Sequence, residues 1–181
     1  MGRLMADFLK AFALTMKAEG GYVNDPQDPG GETYKGIARK MNPGWEGWKI
    51  VDMLKGQKRF PGNLDGHEPL QEKIVAFYRA NYWDRVCGDE ITNQDVAESV
   101  FDFAVNAGVV ASVKVAQIAA RTTVDGVIGP VTLSKINGMD PRVFLAFFSL
   151  GKIARYVSIC EKRKESRKYL FGWVKRALEG V

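Results

Sequence analysis

Apolar residues recur at helical spacing along most of the chain. Near the N-terminus Leu4, Phe8, Ala11, Phe12 and Thr15 mark one face of an amphipathic helix, with Asp7, Lys10 and Lys17 off that face. Gly20-Gly21 predicts that this helix ends near Glu19. Residues 24–31 read Asn-Asp-Pro-Gln-Asp-Pro-Gly-Gly, two consecutive turn signals, and Thr33 to Ile37 has the character of a short strand or hairpin arm. Further helices are predicted over about 47–55, 70–82, 94–107, 111–120, 129–136, 141–160 and 169–178. Asp140-Pro141 is a strong start, with Asp as N-cap and Pro in the first helical position. The pattern predicts a mainly α protein with a small loop and β-hairpin lobe near residues 20–40.

Length and composition agree with one globular body. The chain has 181 residues, 46% hydrophobic and 26% charged, which is too apolar for disorder. The apolar run from Val143 to Leu150 is closed by Lys152 and Arg155, short of a membrane span, and no signal peptide pattern precedes it. The expectation is a monomer that accumulates in the cytoplasm.

Scarcity narrows the chemistry. The single histidine, His67, lies in a turn-like Gly-Asn-Leu-Asp-Gly-His-Glu-Pro segment, which argues against a histidine-rich zinc site and against Ser-His or Cys-His nucleophilic catalysis. Cys87 and Cys160 match no metal or disulfide framework and read as free, partly buried thiols. No metal or organic cofactor is implied.

Charge is unevenly spread. The net +5 divides into +7 over residues 142–181 (ten basic, three acidic) and −2 over the remainder (16 basic, 18 acidic). The basic tail reads as a solvated helix face, as a nucleic-acid surface, or as a surface drawn to an anionic envelope. No nucleic-acid-binding motif accompanies it, so nucleic acid is not an expected partner.

The lobe, by contrast, is acidic. Glu19, Asp25, Asp28 and Glu32 fall within 14 residues that contain no basic side chain. A carboxylate at a helix C-terminus meets the negative end of the dipole, which raises the pKa of Glu19 and suits it to protonate a leaving oxygen. Asp28, in a Gly/Pro-rich loop, stays ionised. One raised and one ordinary carboxyl across a cleft is the arrangement of glycoside hydrolysis, and Thr33 is placed to hold a water. Turn-forming and helix-end roles explain the same residues equally simply.

The strings Ala18-Glu19-Gly20-Gly21-Tyr22-Val23-Asn24-Asp25-Pro26, Asp28, Gly30-Gly31, Thr33 and Lys35-Gly36-Ile37 resemble the opening signature of glycoside hydrolase family 108. Tyr82-Trp83 and Phe101-Asp102-Phe103-Ala104-Val105-Asn106-Ala107-Gly108 continue it. Gln117, the 124–132 segment Val-Asp-Gly-Val-Ile-Gly-Pro-Val-Thr, and Gly172-Trp173-Val174-Lys175-Arg176 resemble the helical peptidoglycan-binding region that accompanies the family. The resemblance spans about residues 8–178. It implies a lysozyme-like fold, with a catalytic region over 1–90 and a binding region over 91–181 packed as one unit. It also implies a muramidase of the kind found among phage and prophage endolysins, acting on peptidoglycan glycan strands.

Carried over by position, the resemblance makes Glu19 the general acid. The second carboxylate is Asp28, with Asp25 as its competitor and Thr33 beside it. Tyr22, Tyr34, Tyr82 and Trp83 could stack on sugar rings, Tyr82 and Trp83 equally serving as core. Asp102 and Asn106, four apart on one helix face, either hydrogen-bond the glycan or cap a neighbouring loop. The Asp125–Pro130 segment is first a turn and cap. The basic tail would meet an anionic outer-membrane surface. Inversion or retention depends on the carboxyl separation, which sequence does not give. The competing reading is a non-catalytic peptidoglycan-binding or secretion-assisting protein of the same fold.

Overall fold

The structure is a computed structural model, and it describes residues 5–17, 20–25 and 30–178. Its contacts divide the chain into two compact units: residues 12–81, and residues 1–11 together with 82–181.

The first unit holds a three-stranded antiparallel sheet, β1 (Tyr22–Asn24), β2 (Glu32–Tyr34) and β3 (Ile37–Ala38), in that order. Tyr22 pairs with Tyr34, and Tyr34 with Ile37. Sequence patterning anticipated a β-hairpin lobe here with a strand or hairpin arm over Thr33–Ile37, but not the third strand; three-residue and two-residue strands are too short to show alternation. Lys35 and Gly36, both at positive φ, form the two-residue turn between β2 and β3, the geometry a tight hairpin requires. Helices α2 (Gly47–Lys55) and α3 (Glu68–Tyr78) pack beside each other. The Tyr78 hydroxyl donates to the Lys35 carbonyl at 2.7 Å and so ties the hairpin turn to α3. Helix α3 was expected to reach Tyr82, but its α geometry ends at Tyr78 and passes into a π-turn over Arg79–Trp83.

Helix α1 (Phe8–Met16) runs across the division between the units. It starts later than the apolar pattern suggested. Asp7, which reads as an interruption, is the N-terminal cap: its carboxylate accepts from the Leu9 and Lys10 amides at 2.8 and 3.3 Å. Phe8, Ala11 and Thr15 form the buried stripe, whereas Leu9 and Leu14 face outward.

The second unit is helical: α4 (Gln94–Ala107), α5 (Val109–Ala119), α6 (Pro130–Gly138), α7 (Pro141–Lys162) and α8 (Leu170–Leu178), with a 3-10 turn over Lys164–Tyr169 that the pattern did not reveal. Asp140 caps α7, accepting from the Arg142 and Val143 amides as expected. By length and composition alone α7 is long and apolar enough to cross a membrane. Here α4, α5 and α8 all pack against it, and Phe144, Phe148, Lys152 and Tyr156 are buried along it. Gly151 permits the α5–α7 approach, since a Cβ there would lie 2.7 Å from a Val115 methyl. Buried Gln117 holds the 125–127 turn, donating to Asp125 at 2.6 Å and to the Val127 carbonyl at 3.0 Å while accepting from the Gly126 amide. The Asp125 segment is thus the turn it appeared to be. Cys87 and Cys160 are free thiols, half-buried and buried.

Candidate active site

The sheet is the frame of the acidic lobe. Glu19 and Asp28, the two carboxylates named for catalysis, lie outside the described residues. What surrounds them in sequence is described: β1 and Asp25 on one side, and Gly30, Gly31 and β2 on the other. Gly31 has φ of 64°, and a Cβ there would press to 3.0 Å from the Lys40 side chain, so glycine is favoured where the chain enters β2.

Side chains alternate across a strand, so β2 sorts its residues between two faces. Tyr34, Glu32 and Tyr22 share the face turned toward the helices. Thr33 lies on the other face with Val23 and Ala38, half-exposed. The Thr33 hydroxyl is therefore on the open side of the sheet. Asp25 follows β1 directly and is exposed.

Glu32 has a different character from its acidic neighbours. Its side chain is only 10% exposed, and both oxygens are occupied. Oε1 receives Lys55 Nζ at 2.8 Å and the Tyr22 hydroxyl at 2.9 Å, and Oε2 forms an ion pair with Arg39, 2.8 Å from Nε. Arg39 in turn makes a two-pronged contact to Asp52 at 2.6 and 3.0 Å and lies over the Trp48 ring. The Arg39 hydrogen bond, followed by one from Lys55, holds the Asp52 carboxyl below its usual range. Burial opposes the Lys55 charge, but its bonds to Glu32 and Asp52 outweigh burial and leave the ammonium above its ordinary value. Burial raises the Tyr22 phenol, and its bond to Glu32 adds to the rise. This network was not found from sequence. The one available signal was the absence of any basic residue from 19 to 32, which placed the nearest cations downstream, from Lys35 onward.

Tyr34, expected to stack on sugars, is core instead, and of the two readings open for Trp83 the structure has the core one. Tyr34 is 1% exposed, and its hydroxyl donates to Asp65 at 3.0 Å while accepting from Gln71 at 3.1 Å. Burial, the largest influence, carries its pKa to about 12. Trp83 is 0% exposed, packed between Phe8 and Phe101 at centroid distances of 5.5 and 5.7 Å, and its indole donates to Asp89 at 2.8 Å. Neither ring offers a face to a ligand. Tyr82 and Tyr22 remain half-exposed. Tyr22 meets Phe60 edge-on at 4.7 Å.

Asp102 and Asn106 do share a face of α4, and both are engaged within the helical unit. Asp102 pairs with Arg176 of α8 at 2.8 Å, and the Asn106 amide donates to the Asp102 carbonyl at 2.6 Å. Among the described residues no group of three or more His, Cys, Asp or Glu could hold a metal ion.

Residues 12–108 match the model of the family described as Glycosyl hydrolase 108. The chain belongs to that family. Residues 111–178 match a second model, described as Predicted Peptidoglycan domain. A solved structure, that of Brucella abortus SagA, is 30% identical, covers 95% of this chain and 94% of its own, and superposes with a TM-score of 0.63. No curated protein matches the chain. Together the two family matches make this glycosyl hydrolase 108 protein a glycosidase that acts on peptidoglycan, with the mainly α, lysozyme-like fold anticipated from its sequence.

Proposed function

We propose that this glycosidase is a muramidase, cleaving the β-1,4 bond between N-acetylmuramic acid and N-acetylglucosamine. Glu19 protonates the glycosidic oxygen. Asp28, with Thr33 beside it, acts on the opposite face of the sugar, either stabilising the oxocarbenium-like state or activating water. The region up to about residue 90 carries the hydrolysis, and the helical region beyond it holds the wall.

The observation that carries this reading is the occupation of Glu32. Two cations and a phenol lock this carboxylate, so it is not available as the acid or base. That leaves Glu19, Asp25 and Asp28 as candidates for the chemistry within a segment matched by a hydrolase family model. Thr33 lies on the open face of the sheet, away from that lock.

The test is turnover of purified murein sacculi with analysis of the new ends. Reducing N-acetylmuramic acid ends from the parent protein, and loss of release by about 10²–10⁴-fold in a folded Glu19→Gln protein, are the expected results. Full activity in Glu19→Gln, or free peptide ends in place of reducing sugars, overturns the assignment. Binding without any turnover by the parent protein points to a non-catalytic wall-binding protein instead.

A further inference from the structure

We propose that the outer surface formed by the end of α7, the 3-10 turn and α8 docks on an anionic lipid bilayer. Lys162, Arg163, Lys164, Arg167, Lys168 and Lys175 are all exposed there. Among the described residues none of these six takes part in an ion pair. Their charge therefore faces solvent uncompensated, apart from the nearby carboxylates of Glu161 and Glu165.

Exposed apolar groups occur in the same stretch of chain as these cations. Phe171 is 84% exposed, the most open large hydrophobic residue described, and Tyr169 and Leu178 are 53% and 55% exposed. Phe171, Lys175 and Leu178 recur at i, i+4 and i+7, so they project from one side of α8. The other side is held firmly. Ala177 is buried and its carbonyl accepts from Ser149 of α7 at 2.9 Å. Trp173 lies against Tyr156 and Tyr169 at 5.2 and 5.8 Å, and Arg176 reaches Asp102. The outward face is thus presented by a helix already folded and packed, and docking requires little ordering of the backbone. Lys168 lies 4.9 Å from the Tyr169 ring centroid, which puts an aromatic ring at the border between charge and apolar surface.

The combination selects the partner. Carboxylates of a peptidoglycan peptide, or the phosphates of a duplex, would satisfy the cations but have no place for Phe171 and Leu178. A bilayer surface with anionic headgroups takes both: phosphates meet Lys and Arg, and the acyl boundary takes the exposed ring and the aliphatic side chain. This docking goes beyond the hydrolytic reading and is measured with no glycan present, so either can fail alone.

The experiment is co-sedimentation of the full chain with vesicles of mixed phosphatidylglycerol and phosphatidylcholine, against vesicles of phosphatidylcholine alone. Partitioning is expected to be at least about tenfold stronger to the anionic vesicles and to weaken with added salt. The variant carrying Gln at Lys162, Arg163, Lys164, Arg167 and Lys168 should lose about tenfold or more of that binding. Phe171→Ser should lose about tenfold by removing the apolar anchor. Because the substituted side chains are exposed, melting curves should match the parent, and the single Phe171 variant keeps the test open if the multiple variant fails to fold. Equal binding to both vesicle types, parental affinity in either folded variant, or tighter binding to duplex DNA than to anionic vesicles overturns the proposal. So does a charge variant that loses sacculus retention while keeping vesicle binding.

Discussion

Replacing Glu32 by Gln isolates the lock that holds the lobe. The amide keeps the shape of the carboxylate but turns one acceptor into a donor, and that NH2 must face either the Arg39 guanidinium or the Lys55 ammonium, both 2.8 Å from the present oxygens. The cations are about a third exposed, at 30% and 35%, so water recovers part of what they lose. Each pair then contributes about 1 kcal/mol, and the hydrogen bond from Tyr22 to a charged acceptor adds about 1 kcal/mol over its neutral counterpart. A loss of about 3 kcal/mol corresponds to a fall in melting temperature of about 6–12 °C for a chain of this size. Calorimetry on Glu32→Gln, Lys55→Met and the double variant measures the coupling, expected near 1 kcal/mol between Glu32 and Lys55. Because Glu32 is a structural carboxylate, turnover of sacculi assayed well below the melting transition should stay within about tenfold of the parent, against about 10²–10⁴-fold for a general acid. An unchanged melting temperature would refute the lock. Loss of turnover as deep as that of Glu19→Gln in a folded protein would move Glu32 into the catalytic machinery.

Three other perturbations follow from the same geometry. Lys152 is 5% exposed, with a long 3.4 Å contact to Ser99 and the Phe148 ring centroid 5.2 Å away, and burial lowers its pKa although Asp102 works to raise it. Its folded pKa lies below the unfolded value, so the unfolded chain holds more protons in that window and stability rises as pH climbs toward about 10.4. Lys152→Met should remove that rise and lift the melting temperature by about 2–4 °C at neutral pH, and a drop of the same size in a melting scan would contradict it. Tyr34 has the opposite sign: its folded pKa of about 12 lies above the unfolded value, so its contribution is complete below pH 10 and is lost as pH rises toward 12. Tyr34→Phe should flatten this alkaline decline in denaturant titrations while costing about 1–2 kcal/mol at neutral pH through the lost Asp65 and Gln71 bonds. A Cβ on Gly88 would lie 2.3 Å from the buried Trp83 ring, so Gly88→Ala should cost about 1–3 kcal/mol or more, whereas Gly138→Ala, which meets nothing within 4 Å, should cost nothing measurable by thermal melting.

The helical unit was largely legible because its signals are local and repeated. Helices α2 and α4 occupy the predicted residues, and Asp140-Pro141 marks the start of α7 with a cap whose chemistry involves only neighbours. The lobe was legible as a place but not as a structure. Strands of two and three residues carry no periodicity, and the Lys35–Gly36 turn places a lysine at positive φ, which composition does not announce. Aromatic residues were ambiguous for a related reason. Tyr34 and Trp83 carry polar groups that suggest a surface role, but Asp65, Gln71 and Asp89 supply their partners, and those of Tyr34 lie 31 and 37 residues away in sequence.

Charge shows the same limit and gives the clearest link between the two ends of the chain. The acidic stretch from Glu19 to Glu32 looked uniform, yet Glu32 is neutralised by Arg39 and Lys55, which lie seven and 23 residues downstream. A carboxylate paired in this way orders the lobe and cannot also serve as a solvent-accessible acid or base. The basic tail looked equally uniform, yet Arg176 is spent on Asp102 and Lys152 is buried, so neither adds to the field at the surface. Removing those two leaves the exposed cations around Phe171 as the charge free to act on a partner. Sequence reports how much charge a segment carries; which part of it is free to act depends on pairs formed across tens of residues, and only the fold makes those pairs visible.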